Sequence, residues 1–322
     1  MNITCTRHPT PVILSIIRPM SAPSPTRALQ LTAFLTLLLI ALMMASNHIA
    51  ARLAFNNGVD VATAVLSRSL ITALVVGAIV VFNRVPWRPN ARQARGLLVV
   101  GVMIGIQSQC LYSAVARLPV ALALLAFNTY PLWTAMWDRL LYGRTPERAV
   151  LMAMPVIVAG LVLALDVVGV LLGHGELQAS QLLPGLMFAL AAGATFGLAL
   201  VWTQHETEGV DGRVRTTTTM TLAGLMALLV VISQGGPHWP TAQLGWVGLG
   251  LLTFLYGTAF TIMFIVLPRL GVAGNSAIMN AEPVFSLVLA WFILDQSLSL
   301  QQVVGCLIVV GSVMSLGLRK KR

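Results

Sequence analysis

Charge is scarce in this 322-residue chain: Asp, Glu, Lys and Arg make up only 9% of it, against roughly 25% in an ordinary soluble domain. With 57% of the residues hydrophobic, a water-soluble fold is excluded. Acidic residues are the scarcest, 10 against 20 basic, for a formal charge of +10. An excess of that sign suits nucleic acid only where the basic residues form a patch on a soluble face. Here they lie in short segments between apolar runs and at the termini, so no nucleic-acid partner is expected. The three cysteines, Cys5, Cys110 and Cys306, have neither metal nor redox spacing. Cys110 and Cys306 fall inside apolar runs, where cysteine acts as a packing residue. No His-Glu-x-x-His, no Gly-x-Ser-x-Gly and no phosphate-binding Walker loop occurs. No catalytic residue, metal site or cofactor is therefore expected; the chain does not read as an enzyme, and direct drive by ATP has no support.

What is present is apolar length. Ten runs can each cross a bilayer, at about 30–51, 62–83, 96–116, 119–138, 150–168, 183–204, 217–234, 244–268, 272–293 and 301–318. The connections are short. The expected fold is thus an all-α integral membrane protein of ten transmembrane helices, with the lipid bilayer as its first partner. Residues 1–28 read as a disordered cytosolic tail containing a candidate start at Met20, because Val12 to Ile17 is too short for a signal-peptide core.

The runs repeat. Asn128-Thr129-Tyr130-Pro131 lies 152 positions before Asn280-Ala281-Glu282-Pro283, and the same offset relates Arg117-Leu118 to Arg269-Leu270, Val120-Ala121 to Val272-Ala273, and Gly105 to Gly257. Two related turns, Gly58-Val59-Asp60 and Glu208-Gly209-Val210-Asp211, follow the first and sixth runs. The chain divides into five-helix repeats at 29–168 and 183–318. An odd number of crossings per repeat inserts the halves in opposite directions, the inverted plan of many transporters. Seventeen of the 20 basic residues then fall on one side, which places both termini in the cytosol. Trp137, Trp202, Trp246 and Trp291 lie near run ends, as interfacial anchors do. Gly101 with Gly105, and Gly193 with Gly197, are spaced for close helix contact.

The polar residues inside the runs are the candidate working parts. Glu282 sits about ten residues, or roughly 15 Å, from either end of its run, where a carboxylate must be protonated, paired or wetted. Pro283 beside it removes a helix hydrogen bond, and Pro131 does the same in the other half, so both are candidate hinges. Asn275, Met279, Glu282 and Ser286 form a stripe on the ninth run, matched by Ala123, Phe127, Tyr130 and Thr134 on the fourth. Facing one cavity, these offer a carboxylate, an amide, a hydroxyl, a phenol and aromatic walls, a mixture suited to a small amphipathic solute. Asn128 and Asn280 are placed to bond either a solute or carbonyls freed by the prolines. Arg68, about seven residues into the second run, has two readings: a snorkelling residue, or an anchor for a solute carboxylate or partner for Glu282. The substrate-binding or coupling set is thus Glu282, Arg68, Asn128, Tyr130, Asn280 and Ser286, with protons as a candidate coupling partner. His48 is expected as a polar residue near the headgroups; Gln107, Gln109, Tyr256, Thr258 and Thr261 are secondary.

Several stretches together resemble the EamA-type branch of the drug/metabolite transporter superfamily, from about residue 30 to 318. Ala45 to Arg52 resembles that family's first-helix motif, and Arg68 its second-helix arginine. Leu118-Pro119-Val120-Ala121 through Tyr130-Pro131-Leu132 resembles its fourth helix, and Val272 through Trp291 its ninth. The resemblance implies a ten-helix inner (plasma) membrane exporter or exchanger of small metabolites, such as amino acids or drugs. Met44-Ala45 stands where the family usually has Trp-Gly, and Arg144 and Gln296 stand where glutamates often end the fourth and ninth helices. A structural or assembly membrane protein is the competing reading, but it would not need a midplane carboxylate.

Overall fold

The computed structural model describes residues 27–145, 148–166, 169, 179–263, 281–296 and 299–318. Asn275, Met279 and Asn280 lie outside them. The described residues form helices α1 (Arg27–Asn56), α2 (Val61–Phe82), α3 (Ala91–Arg117), α4 (Val120–Phe127), α5 (Tyr130–Tyr142) and α6 (Arg148–Ala164). They continue as α7 (Ala179–Glu206), α8 (Gly212–Ser233), α9 (Gln243–Thr261), α10 (Glu282–Leu294) and α11 (Leu300–Leu318). Seven segments, with α4 and α5 counted as one, are long and apolar enough to cross a membrane; Val150–Ala164, Glu282–Leu294 and Leu300–Ser315 are shorter apolar helices.

The 152-residue register is visible in the elements. Arg27 and Ala179, Ala91 and Gln243, Tyr130 and Glu282, and Arg148 and Leu300 open matched helices at that spacing. The start signals match too. Gly58, at φ +94°, turns the chain into Asp60, whose carboxylate accepts the N–H groups of Ala62 and Thr63 at 3.0 and 3.4 Å. Gly209, at φ +79°, turns it into Asp211, which accepts the N–H of Arg213 at 2.8 Å. In both, a short acidic side chain takes up orphan donors at a helix start. The Arg213 guanidinium beside it holds the Asp211 carboxyl below the usual aspartate value.

Matched helices pack against each other in opposite directions. A methyl group on Gly77 of α2 would meet Thr217 of α8, while one on Gly224 of α8 would meet Leu70 of α2. Gly160 of α6 likewise lies against Ile308 and Val309 of α11, and Gly305 of α11 against Ala164. α1 runs antiparallel to α9, with Gly245 at Asn57 and Gly248 at Ala50 and Ala54. A side-chain carbon at Gly248 would stand 2.8 Å from the Ala50 carbonyl oxygen, so only glycine permits this approach. α3 pairs with α7 in the same antiparallel way.

The fourth run is not one helix. α4 ends at Phe127, and the chain restarts as α5 at Tyr130. Asn128 and Thr129 turn their side chains back, with Asn128 Nδ2 donating to the Leu124 carbonyl and Thr129 Oγ1 to that of Ala126, both at 2.8 Å. Such local bonds compete with helix continuation. Pro131 and Pro283 fall in the first turns of α5 and α10, where a missing N–H costs nothing. Pro131 thus begins a helix rather than kinking one. Gly193 and Gly197 of α7 press on this break, near the Phe127 carbonyl oxygen and the Thr134 amide nitrogen.

The main core gathers Leu118, Leu122, Leu124 and Leu125 of the α4 segment with Ile157 and Leu165 of α6, Leu182 of α7 and Val309 of α11. Apolar residues also cover the outside: Leu74, Val81, Phe82, Leu229, Ile232 and Phe254 are all more than half exposed. Helices apolar on every face belong in a bilayer. Trp246 and Trp291 are exposed, as anchors would be, whereas Trp137 donates its indole N–H to the Ala194 carbonyl at 3.0 Å and serves packing.

Candidate functional site: a buried polar cluster between the halves

Polar side chains that the bilayer would penalise converge where α1, α2 and α3 meet α9 and α10. Glu282 opens α10, and its Oε1 lies 3.2 Å from Nε2 of His48 on α1. The His48 side chain is 3% exposed and that of Glu282 15%. His48 is therefore not a headgroup residue; its imidazole lies against the carboxylate. The reason is the length of α1, which runs on to Asn56. Arg52, which by hydropathy closes the first run, sends its guanidinium to the carbonyls of Val115 and Leu118 at 2.7 and 3.4 Å. That is a favourable place for a cation, at the C-terminus of α3.

Arg68 is not a snorkelling residue either. It is 2% exposed, and its Nη2 donates to Ser108 Oγ at 2.7 Å. Its guanidinium carbon stacks over Tyr112 at 4.5 Å and over Tyr256 at 3.9 Å. Two aromatic faces replace part of the hydration that a buried guanidinium loses. No carboxylate stands within ion-pair distance of it among the described residues; the expectation that it pairs with Glu282 is replaced by this tyrosine sandwich. Tyr112 connects the two charges. Its hydroxyl donates to Asn47 Oδ1 at 3.1 Å, and its ring lies 5.6 Å from that of His48. Nε of Arg68, Nδ2 of Asn47, Nδ1 of His48 and the hydroxyls of Ser69 and Thr72 are buried without a hydrogen-bond partner among the described residues.

The other expected residues divide. Tyr130 joins Phe127 and Phe196 in a cluster of three rings with centroids 5.1–5.7 Å apart, within electrostatic reach of Glu282. Ala123, by contrast, is fully buried in the main core and lines nothing. Asn128 is spent on the Leu124 carbonyl, and Ser286, also fully buried, donates to the backbone oxygen of Glu282 at 2.9 Å. Tyr256 becomes a wall for Arg68. Gln107 accepts from Ser108 at 3.4 Å, and Thr261 bonds back to Gly257. Among the described residues, no group of acidic, histidine and cysteine side chains is arranged to hold a metal.

The helix ends carry a second set of polar contacts. At one end, Arg92 of α3 pairs with Glu206 of α7 at 2.7 Å, and Tyr142 of α5 donates to that carboxylate at 3.2 Å. His205 lies 3.1 Å from Asp138 and stacks on Tyr142 at 3.8 Å. At the other end, Gln296 beyond α10 accepts the Val120 N–H at the start of α4 at 3.1 Å, and Thr241 donates its N–H to the Asn57 carbonyl at 3.0 Å. Each link joins one half to the other.

The model of the EamA-like transporter family matches this chain twice, over residues 31–165 and 183–318. The chain belongs to the EamA-like transporter family. It is a multi-pass transmembrane protein, and transport of small solutes within the membrane is its general activity. A solved crystal structure, described only as that of a protein, shares the fold with a TM-score of 0.58 at 22% identity, over 88% of this chain and 98% of its own. No curated protein matches the chain at a significant level. The Gln296 side chain caps α4 of the opposite half.

Proposed function

We propose that this EamA-like transporter is a secondary transporter that exports or exchanges a small metabolite, such as an amino acid or a drug-like amphipathic solute, by alternating access. The carrying observation is the buried cluster in which His48 of the first half holds Glu282 of the second, 3.2 Å apart, beside Arg68. Glu282 and Arg68 form the polar core of the site, with Tyr130 and its neighbouring rings as a wall; Asn128 and Ser286 shape the breaks around it, and Asn280 stays a candidate by its place in the sequence. The antiparallel packing of α2 on α8 and of α6 on α11 supports an inverted pair of five-helix repeats, 29–168 and 183–318, making ten crossings. The side-chain links at both ends of the bundle support an occluded conformation, with Pro131 and Pro283 at the joints where half-helices swing. Basic-residue placement supports an inner (plasma) membrane location with both termini cytosolic. Comparing metabolites exported by cells with and without the gene tests this: a specific small solute should accumulate outside only when the protein is present. Identical profiles at confirmed membrane abundance would rule the transport reading out.

A further inference from the structure

His48 was not among the residues that sequence reasoning placed at the site, yet it contacts the carboxylate around which the transport reading turns. Its two ring nitrogens have different surroundings. Nε2 faces Glu282 Oε1 at 3.2 Å, whereas Nδ1 is buried without a protein partner. In a neutral imidazole one nitrogen donates and the other accepts. With the proton on Nε2 pointing at the carboxylate, Nδ1 keeps a free lone pair in the interior. Among the described residues, the groups facing this pair are Asn47 beside it on α1, Tyr112 of α3 and Tyr130 of α5. Arg68 of α2 and Tyr256 of α9 stand behind Tyr112.

We infer that His48 and Glu282 form one shared proton site, with His48 Nδ1 as the acceptor. A proton taken up on Nδ1 makes an imidazolium. Its Nε2–H bond then breaks towards Oε1, the bonding pair returns to the ring, and the proton forms the carboxylic acid. The result is a neutral imidazole protonated on Nδ1 and a neutral Glu282, with one proton gained and none lost. The charge-assisted hydrogen bond from Nε2–H to the carboxylate joins α1 to α10 while Glu282 is ionised, and gives way to a weaker neutral–neutral one once it is protonated. The site therefore couples proton occupancy to the contact between the two halves. Arg68 lies beyond Tyr112 and has no carboxylate within ion-pair distance among the described residues. A histidine is fitted to this because it alone among the side chains changes charge near neutral pH in its unperturbed form.

This inference rests on the transporter reading for its purpose, but its test needs no solute, because the ligand is the proton itself. The full chain, with isotope-labelled histidine, is titrated by nuclear magnetic resonance in lipid nanodiscs, and the His48 signals are assigned from their loss in His48→Gln. In the unmodified protein His48 should carry its proton on Nε2 at alkaline pH. In Glu282→Gln its titration should be displaced by roughly one pH unit or more, the scale expected when a neighbouring opposite charge is removed. The signals of His205 and His238 should not move. A Nδ1-protonated His48 at alkaline pH in the unmodified protein overturns the proposal without any variant. So does a His48 titration indifferent to Glu282→Gln. An active transporter with an indifferent His48 sinks the shared site alone; a coupled pair in a protein that exports nothing sinks the transport reading alone.

Discussion

Arg68 shows what a single residue contributes here. A buried guanidinium with one hydrogen bond, two tyrosine faces and no carboxylate within ion-pair distance among the described residues is an expensive way to hold helices together. Replacing such a charge by an apolar residue of similar length is often neutral or stabilising. Arg68→Met should therefore leave the thermal unfolding midpoint unchanged or raised, within about 2 kcal/mol of the parent, while solute transport collapses. Parallel loss of stability and transport would show that the arginine serves the fold. The sequence marks Arg68 and Glu282 plainly, since intramembrane charges are rare. It hides His48, because hydropathy ends the first run near Arg52. The helix continues past Arg52, whose guanidinium bonds the carbonyls at the end of α3, to Asn56, and that continuation sets His48 deep.

At the scale of elements, the repeat is the most legible feature. Its offset can be read from Asn128, Asn280 and the two prolines, and it recurs in the helix starts almost to the residue. The break within the fourth run is harder to see. Proline suggests a kink in the middle of a helix, whereas the chain stops at Asn128-Thr129 and uses Pro131 to open the next helix. Aliphatic content alone does not distinguish one long helix from two half-helices. Because the prolines sit where no N–H is needed, replacing them restores helix-forming capacity without removing a contact. Pro131→Ala and Pro283→Ala should each give folded, inserted protein, and the pair together should slow turnover several-fold by stiffening the joints. Turnover of the double variant equal to that of the parent, measured in the same vesicles, would assign the prolines to helix initiation alone.

For the whole molecule, the two halves meet through unlike surfaces. Apolar ridges and glycines pack matched helices against each other, while the polar cluster is not duplicated among the described residues. At the offset of 152, His48 is matched by Leu200, Arg68 by Met220, and Glu282 by Tyr130. One half thus keeps the scaffold and lends an aromatic wall at the position where the other carries the charge. Coupled transport at Glu282 is tested most directly in proteoliposomes loaded with the exported solute and given a pH gradient. Glu282→Gln, which keeps the shape of the protonated carboxyl, should abolish uphill, pH-driven movement while sparing downhill exchange. Full pH-driven accumulation by that variant would contradict coupling at Glu282.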